Sequence, residues 1–300
     1  MSKVFEIVKL MRPSHWIKNI LIIFPLFFGG KFLDVDLLLF VLAGGVSFSL
    51  LSSMVYTIND ISDLESDRLH AIKKNRPIAS GKISKREASL LLFVMGIIVV
   101  LDSMLIVKNM LAFCILILYG FINIGYSCFK WKNIPLLDIC ILVSCYVIRI
   151  AYGAVIAKVS ISNWLFLTIM SVSFFMALGK RRNEMNMNIK LTCDSATTRD
   201  VLKWYPLSFL DKNMTMCNTL AILFYTLWCI DFSSGRTGVN SNNLNIIWTV
   251  PIVILLSMRY SYIIEMKNFE EDPIRVILKD KVLITIGIAY AILMFVIIYI

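Results

Sequence analysis

The sequence has 300 residues, 58% of them hydrophobic, and a formal net charge of +10. Soluble domains are about 45–50% apolar, and the excess here lies in long runs, which excludes an ordinary soluble protein and indicates a polytopic membrane protein. In a soluble chain the charge would suggest nucleic-acid binding. The positive-inside rule for membrane loops explains it here, so we expect a bilayer partner and no nucleic acid.

Nine apolar segments are long enough to be transmembrane helices. In chain order they are 15–33, 36–58, 86–107, 109–128, 134–157, 162–179, 213–230, 246–266 and 282–300. No linker rich in Pro, Gly or Ser divides them. The sequence therefore predicts one all-α domain over 1–300, a polytopic membrane bundle of about nine transmembrane helices.

The loops between the segments predict the orientation of the chain. Most Lys and Arg residues lie in the N-terminal segment and in the loops after the second, fourth, sixth and eighth segments. The opposite side holds Lys31, Lys108, Lys158 and Arg236. By the positive-inside rule, the basic loops and the N-terminus face the cytoplasm across the inner (plasma) membrane.

The second segment ends in an acidic motif that contains Asn59, Asp60, Asp63 and Asp67. If the helix continues through this stretch, the three aspartates fall within an arc of about 60° on one face. Neighbouring carboxylates repel each other, so the cluster needs a cation, and hard carboxylate oxygens suit Mg²⁺. The motif predicts a magnesium site, and the alternative is a solvated helix end that happens to be acidic.

A basic loop follows the acidic motif. It carries Arg68, Lys73, Lys74, Arg76 and Lys82. Acidic and basic side chains in one place are typical of a metal–diphosphate site, where carboxylates hold the metal and cations neutralise the remaining phosphate oxygens. Without the acidic motif, positive-inside charge alone would explain the loop.

Four further polar residues lie in or beside apolar segments. Arg149 lies inside the fifth segment, where a charge usually faces the bundle interior. Asp138 lies eleven residues earlier on the same helix face, about 16 Å along the axis, which is too far for the two to pair directly. Both could line a cavity, or Arg149 could pair with another helix. Tyr126 belongs to a polar stripe of the fourth segment that lines a cavity or joins helices. Lys18 reaches a phosphate or snorkels to the interface.

The acidic motif, NDxxDxxxD at the end of a second membrane helix, resembles the signature of the UbiA-type intramembrane prenyltransferase superfamily. The stretches 12–19, 59–81, 137–149 and 179–184 resemble its decaprenyl-phosphate phosphoribosyltransferase branch more closely. The resemblance covers nearly the whole chain and implies a UbiA-like fold. It also implies Mg²⁺-dependent transfer of 5-phosphoribose from phosphoribosyl diphosphate to a polyprenyl phosphate, in cell-envelope biosynthesis.

The stretch after the sixth segment differs from typical prenyl-transferring members, which have a second aspartate-rich motif there. This chain has Lys180, Arg181 and Arg182 followed by one carboxylate, Glu184. Cations in place of carboxylates suit a donor that carries a 5-phosphate as well as a diphosphate.

The resemblance implies roles for the site residues. The predicted catalytic residues are Asp60, Asp63, Asp67 and Lys180, and the three aspartates are also the predicted Mg²⁺ ligands. The predicted substrate-binding residues are Lys18, Asn59, Lys74, Arg76, Tyr126, Asp138, Arg149, Arg181 and Glu184.

Two other functions remain as alternatives. The first is an ordinary UbiA-type prenyltransferase, which moves a polyprenyl group from its diphosphate to an aromatic or glycerol acceptor. The second is a lipid-phosphate transporter, which would show internal repeats or helices broken near the midplane. The sequence shows no clear repeat, and its acidic cluster lies at a helix end.

Overall fold

The computed structural model describes residues 3–69, 73–129, 131–190, 200–235, 246–267 and 280–300. Every regular element in these ranges is helical, which confirms the predicted all-α class. The chain divides into two compact units, Met1–Ser160 and Ile161–Ile300. The single domain over 1–300 stays a prediction.

Unit 1 begins with helix α1 and a 3₁₀ helix and continues with six further α-helices. The α-helices are α1 (Lys3–Met11), α2 (Phe24–Phe28), α3 (Val35–Ser62), α4 (Leu64–Leu69), α5 (Lys85–Leu101), α6 (Met110–Cys128) and α7 (Leu137–Ala157). The 3₁₀ helix is Pro13–Ile22, and a π-helical stretch, Asp102–Val107, extends α5.

Unit 2 contains four long helices. They are α8 (Asn163–Lys190), α9 (Leu207–Ser233), α10 (Val250–Lys267) and α11 (Lys281–Tyr299). The side chain of Arg182 on α8 donates from Nε to Asp211 Oδ1 on α9 at 2.5 Å. Asp280 caps α11 and also accepts from Arg259 Nη2 on α10 at 2.8 Å.

Eight helices in the described ranges are long and apolar enough to cross a membrane. They coincide with eight of the nine predicted segments, so the chain is a multi-pass integral membrane protein.

The first predicted segment, 15–33, is not one continuous α-helix. It forms the 3₁₀ helix Pro13–Ile22 and then the short helix α2. Proline lacks a backbone N–H and is tolerated in the first turn of a helix, so Pro13 and Pro25 each lie where a new helix begins. Ten residues of 3₁₀ helix span about 20 Å, so the segment covers much of a bilayer's apolar thickness before α2 is counted.

The 3₁₀ helix packs tightly against α7. A Cβ atom added at Gly153 of α7 would lie 2.0 Å from the backbone oxygen of Ile22. The glycine therefore allows the backbones of α7 and the 3₁₀ helix to come into close contact, as small residues do between helices in membrane proteins. The hydrophobic core around this contact includes Leu26, Phe48 and Ile156.

A second, smaller hydrophobic cluster joins α1, α4, the loop 73–84 and the start of α5. Its buried members are Leu10, Leu64, Ile78, Ala79, Ile83 and Ala88. Lys82 of the loop donates to Glu6 Oε1 of α1 at 2.6 Å, and this hydrogen bond lowers the pKa of Glu6. The cluster fixes the loop that carries Arg76.

Gly153→Ala is expected to lower the free energy of unfolding by about 1–3 kcal/mol, because the added methyl group overpacks the contact with Ile22. Gly45→Ala is the matched control, since nothing lies within 4 Å of its added Cβ. We expect the control to be neutral or to stabilise by about 0.5–1 kcal/mol. Thermal unfolding in detergent measures both, and equal melting temperatures would contradict the tight packing.

Candidate functional site

Two of the three aspartates of the motif are buried where α3 passes into α4. Asp60 and Asp67 are each 2% exposed. Helix α3 ends at Ser62, Asp63 lies at its C-cap, and α4 begins at Leu64. The backbone N–H of Asp67 donates to the oxygen of Asp63 at 2.8 Å, so the chain keeps turning helically. Seven residues make about two turns, which places Asp60 and Asp67 on one side.

Arg76 bridges the two buried carboxylates. Its Nη1 atom donates to Asp60 Oδ1 at 3.1 Å and to Asp67 Oδ2 at 2.6 Å. The loop places Arg76 through its backbone N–H, which donates to the oxygen of Lys73 at 2.9 Å. Buried charges require paired, hydrogen-bonded partners, and one guanidinium nitrogen supplies that for both carboxylates.

Arg12 is a second cation on Asp60, and the sequence prediction gave it no role in the site. Its Nη2 atom donates to Asp60 Oδ1 at 2.5 Å, and its guanidinium lies 5.0 Å from the ring centroid of Tyr56. The backbone of Arg12 is left-handed, with φ 52° and ψ 60°. This turn between α1 and Pro13 directs the Arg12 side chain toward α3. In the sequence, the only signal of this contact is a basic residue directly before a proline.

Asp63 lies apart from the other two carboxylates. Its side chain is 37% exposed and accepts from Lys132 Nζ at 3.3 Å. Lys132 belongs to the 3₁₀ turn Trp131–Asn133 between α6 and α7. The predicted three-aspartate cluster is therefore divided, because the Asp63 carboxylate pairs with Lys132 whereas Asp60 and Asp67 meet at Arg76. In the described ranges, no group of three or more Asp, Glu, His or Cys side chains is close enough to hold a metal ion.

The buried pair nevertheless fits a hard cation. Among the described residues, Asp60 Oδ2 and Asn59 Oδ1 are buried and have no hydrogen-bond partner. A buried acceptor without a partner costs about 1–3 kcal/mol, and Mg²⁺ prefers such carboxylate and amide oxygens. Arg76 already brings oxygens of Asp60 and Asp67 within hydrogen-bond distance of a single atom. Asn59, Asp60 and Asp67 thus supply oxygen ligands that suit a divalent metal ion.

Arg149 lies in a buried network that joins four elements of unit 1. Its Nε donates to Asn19 Oδ1 at 2.9 Å and its Nη2 to the Tyr119 hydroxyl at 3.0 Å. Its Nη1 donates to the backbone oxygen of Cys145 at 2.5 Å. Asn19 in turn donates to Ser49 Oγ at 2.8 Å. These contacts support the alternative that Arg149 pairs between helices and holds the 3₁₀ helix against α3 and α7.

Four other predicted substrate-binding residues of unit 1 are spread over separate elements. Asp138 is fully buried in the first turn of α7, and Tyr126 is half-buried on α6. Lys18 is half-buried on the 3₁₀ helix, and Lys74 is exposed in the turn Lys73–Asn75. The structure brings Asp60, Asp67 and Arg76 into direct contact, and the substrate-binding roles of these four residues stay predictions.

The basic stretch of unit 2 lies on α8. Arg181 is fully buried and donates from Nη1 to Glu184 Oε2 at 2.7 Å, one turn along the helix. Arg182 pairs with Asp211 of α9, and Lys180 is half-buried. Arg181 and Arg182 are thus both engaged by carboxylates within unit 2, and Arg182 joins two of its helices.

Arg149→Gln is expected to lower the free energy of unfolding by about 1–3 kcal/mol, because Asn19 and Tyr119 lose a charged partner. Arg149→Lys keeps the charge but not the planar fork and should fall between wild type and Arg149→Gln. Thermal unfolding in detergent measures this order. An Arg149→Gln protein that melts like wild type but has lost activity would instead place Arg149 against the substrate.

Comparison with known proteins gives one family. The family model described as UbiA prenyltransferase family matches residues 20–273. The chain is 31% identical over 288 residues to a decaprenyl-phosphate phosphoribosyltransferase from Mycobacterium tuberculosis, covering 95% of this chain and 91% of the relative. It is 30% identical over 285 residues to the protein of the same name from Corynebacterium glutamicum, covering 94% and 83%.

A solved structure has the same fold. A UbiA homolog from Archaeoglobus fulgidus, bound to GPP and Mg²⁺, superimposes with a TM-score of 0.68 at 18% sequence identity, covering 98% of this chain and 99% of that chain. At this identity the likeness concerns the fold alone. The family model and the relatives agree over most of the chain, and the protein belongs to the UbiA prenyltransferase family of membrane transferases.

Proposed function

We propose that this protein transfers 5-phosphoribose from phosphoribosyl diphosphate to a polyprenyl phosphate and releases diphosphate, with Mg²⁺ as cofactor. The observation that carries the proposal is the buried pair Asp60 and Asp67 at the junction of α3 and α4, where Arg76 contacts both carboxylates and Arg12 contacts Asp60. The relatives named decaprenyl-phosphate phosphoribosyltransferase, at 30–31% identity over most of the chain, support the donor and the acceptor.

The carboxylate side of the site would hold the metal. Asp60 and Asp67 supply anionic oxygens, and Asn59 supplies a buried amide oxygen without a partner among the described residues. Asp63 remains a candidate ligand, but its carboxylate must first release Lys132 before it can bind the metal. When bound, Mg²⁺ would neutralise phosphate oxygens of the donor and stabilise the departing diphosphate.

The cationic side of the site would bind the rest of the donor. Arg12 and Arg76 carry planar guanidinium groups, and each such group can donate two parallel hydrogen bonds to two oxygens of a phosphate. Lys74, on the same loop as Arg76, adds an exposed ammonium group within the segment that the small cluster anchors. Lys180, in unit 2, stays a predicted phosphate-binding residue, as do Arg181 and Glu184.

The reaction needs positioning and charge stabilisation more than proton transfer. A phosphate acceptor is already ionised at pH 7, so no general base is required. One of its oxygens attacks carbon 1 of the ribose, the bond from that carbon to the diphosphate breaks, and the configuration at carbon 1 inverts. The site residues hold the donor and stabilise the negative charge of the leaving group. We propose that this takes place on the cytoplasmic face of the plasma membrane.

The donor assay tests the proposed reaction. Membranes that contain the protein are incubated with Mg²⁺, polyprenyl phosphate and phosphoribosyl diphosphate labelled in the ribose. We expect label in a charged lipid product. The parallel reaction uses labelled polyprenyl diphosphate with an aromatic or glycerol acceptor, and label in a product of only this second reaction would replace the proposal by ordinary prenyl transfer. Label in neither product would reject both.

Asp60→Asn and Asp67→Asn are each expected to lower turnover by about 100-fold, because each removes an anionic ligand of the metal. Asp63→Asn should cost less, since Asp63 is half-exposed and paired with Lys132. Asp36→Asn, at the opposite end of α3, is the matched control and should leave turnover unchanged. Initial rates at saturating Mg²⁺ measure the series, after each variant is shown to unfold at a comparable temperature. Normal turnover in both Asp60→Asn and Asp67→Asn would remove the metal assignment.

A further inference from the structure

Helix α1 exposes an apolar face. The side chains of Val4, Phe5 and Val8 are 67%, 53% and 46% exposed. On a helix these three positions fall within an arc of about 100°. Apolar residues that share a face and are left uncovered indicate an interaction surface.

The opposite side of α1 is already used within unit 1. Leu10 is buried in the small cluster, and Ile7 packs against the same cluster. Glu6 on this side accepts a hydrogen bond from Lys82. A helix with apolar residues on two sides is covered on both, and the described residues of unit 1 cover only one of them.

Two ion pairs place α1 beside the first turn of α5. Lys3 pairs with Glu87, and Glu6 pairs with Lys82 just before α5 begins. Leu90 and Phe93, the next exposed apolar residues of α5, begin only one to two turns beyond Glu87. Because α5 is long and apolar enough to span a bilayer, its exposed apolar side begins where the lipid begins.

We propose that α1 is an interfacial helix, with Val4, Phe5 and Val8 inserted into the lipid leaflet that borders the Asp60 site. Lipid is the expected partner of this face, because the exposed side of α1 lies beside the lipid-facing start of α5. The charge also fits, because Lys9 is exposed on α1 and can reach a headgroup phosphate from the interface. Insertion covers the face that the described residues of unit 1 leave open.

This docking also bears on the site. The backbone oxygen of Met11, the last residue of α1, accepts from Ser53 Oγ of α3 at 2.8 Å. Arg12 follows directly and reaches Asp60. A lipid-bound α1 therefore fixes the point from which Arg12 extends, and the leaflet becomes part of what holds that arginine on Asp60.

Site-specific photo-crosslinking tests the lipid contact without relying on activity. A benzophenone amino acid replaces Phe5 in one full-length protein and Ile7 in another, each in nanodiscs of phosphatidylglycerol and phosphatidylcholine. After irradiation, intact-mass spectrometry distinguishes a phospholipid adduct from a crosslink within or between chains. Positions 5 and 7 lie about 200° apart on the helix, so they are a matched pair.

We expect the phospholipid adduct at position 5 to exceed that at position 7 by tenfold or more, and position 7 to crosslink within its own chain. Three results at position 5 would overturn the proposal: crosslinks between two copies of the chain, crosslinks only within one chain, or no adduct. The outcome is independent of the donor assay, so lipid contact and phosphoribosyl transfer fail separately. Phe5 and Ile7 are both outside the binding machinery, and the unfolding temperature of each protein controls for folding.

Discussion

Two buried carboxylates that share one arginine nitrogen are the interaction on which the site depends. Asp60 and Asp67 cannot both be buried and ionised without a cation close by, because desolvation and mutual repulsion both oppose their charges. Arg76 meets this requirement from a loop, and Arg12 meets it from the junction between α1 and the 3₁₀ helix. Four separate segments of unit 1 must therefore be placed correctly for one pair of side chains to be stable.

The rest of unit 1 supplies that placement. The small cluster around Leu10 and Ile78 holds the loop of Arg76 against α1. The 3₁₀ helix is held on the other side by Asn19, which joins Ser49 to Arg149, and by the close approach of Gly153 to Ile22. Arg149 contributes to this framework through Asn19, and its role in substrate binding stays a prediction.

Much of this architecture could be predicted from the sequence. Long apolar runs require helices in a membrane, because each backbone polar group must be satisfied within its own segment, and eight segments form the expected helices. The pairing of the acidic motif with the basic loop was predictable from charge, since buried carboxylates need cations. Asp60, Asp67 and Arg76 are found together for that reason.

Other features depend on tertiary structure and could not be predicted from residue patterns. The contact with Lys132 engages the Asp63 carboxylate away from the Asp60–Asp67 pair, although helix periodicity places all three aspartates on one face. The left-handed backbone of Arg12 has no sequence signature in a non-glycine residue, so its contact with Asp60 was missed. The 3₁₀ conformation of Pro13–Ile22 similarly follows from packing against α3 and α7, where periodicity predicted an ordinary span.

We propose that Asp60 and Asp67 hold a divalent cation in competition with Arg12. Binding of Mn²⁺, a paramagnetic substitute for Mg²⁺, can be measured by electron paramagnetic resonance on the purified protein in nanodiscs. Asp60→Asn should weaken binding by about tenfold or more, and Arg12→Gln should strengthen it, because a competing positive charge is removed from Asp60. Unchanged Mn²⁺ affinity in Asp60→Asn, or weaker binding in Arg12→Gln, would contradict this claim.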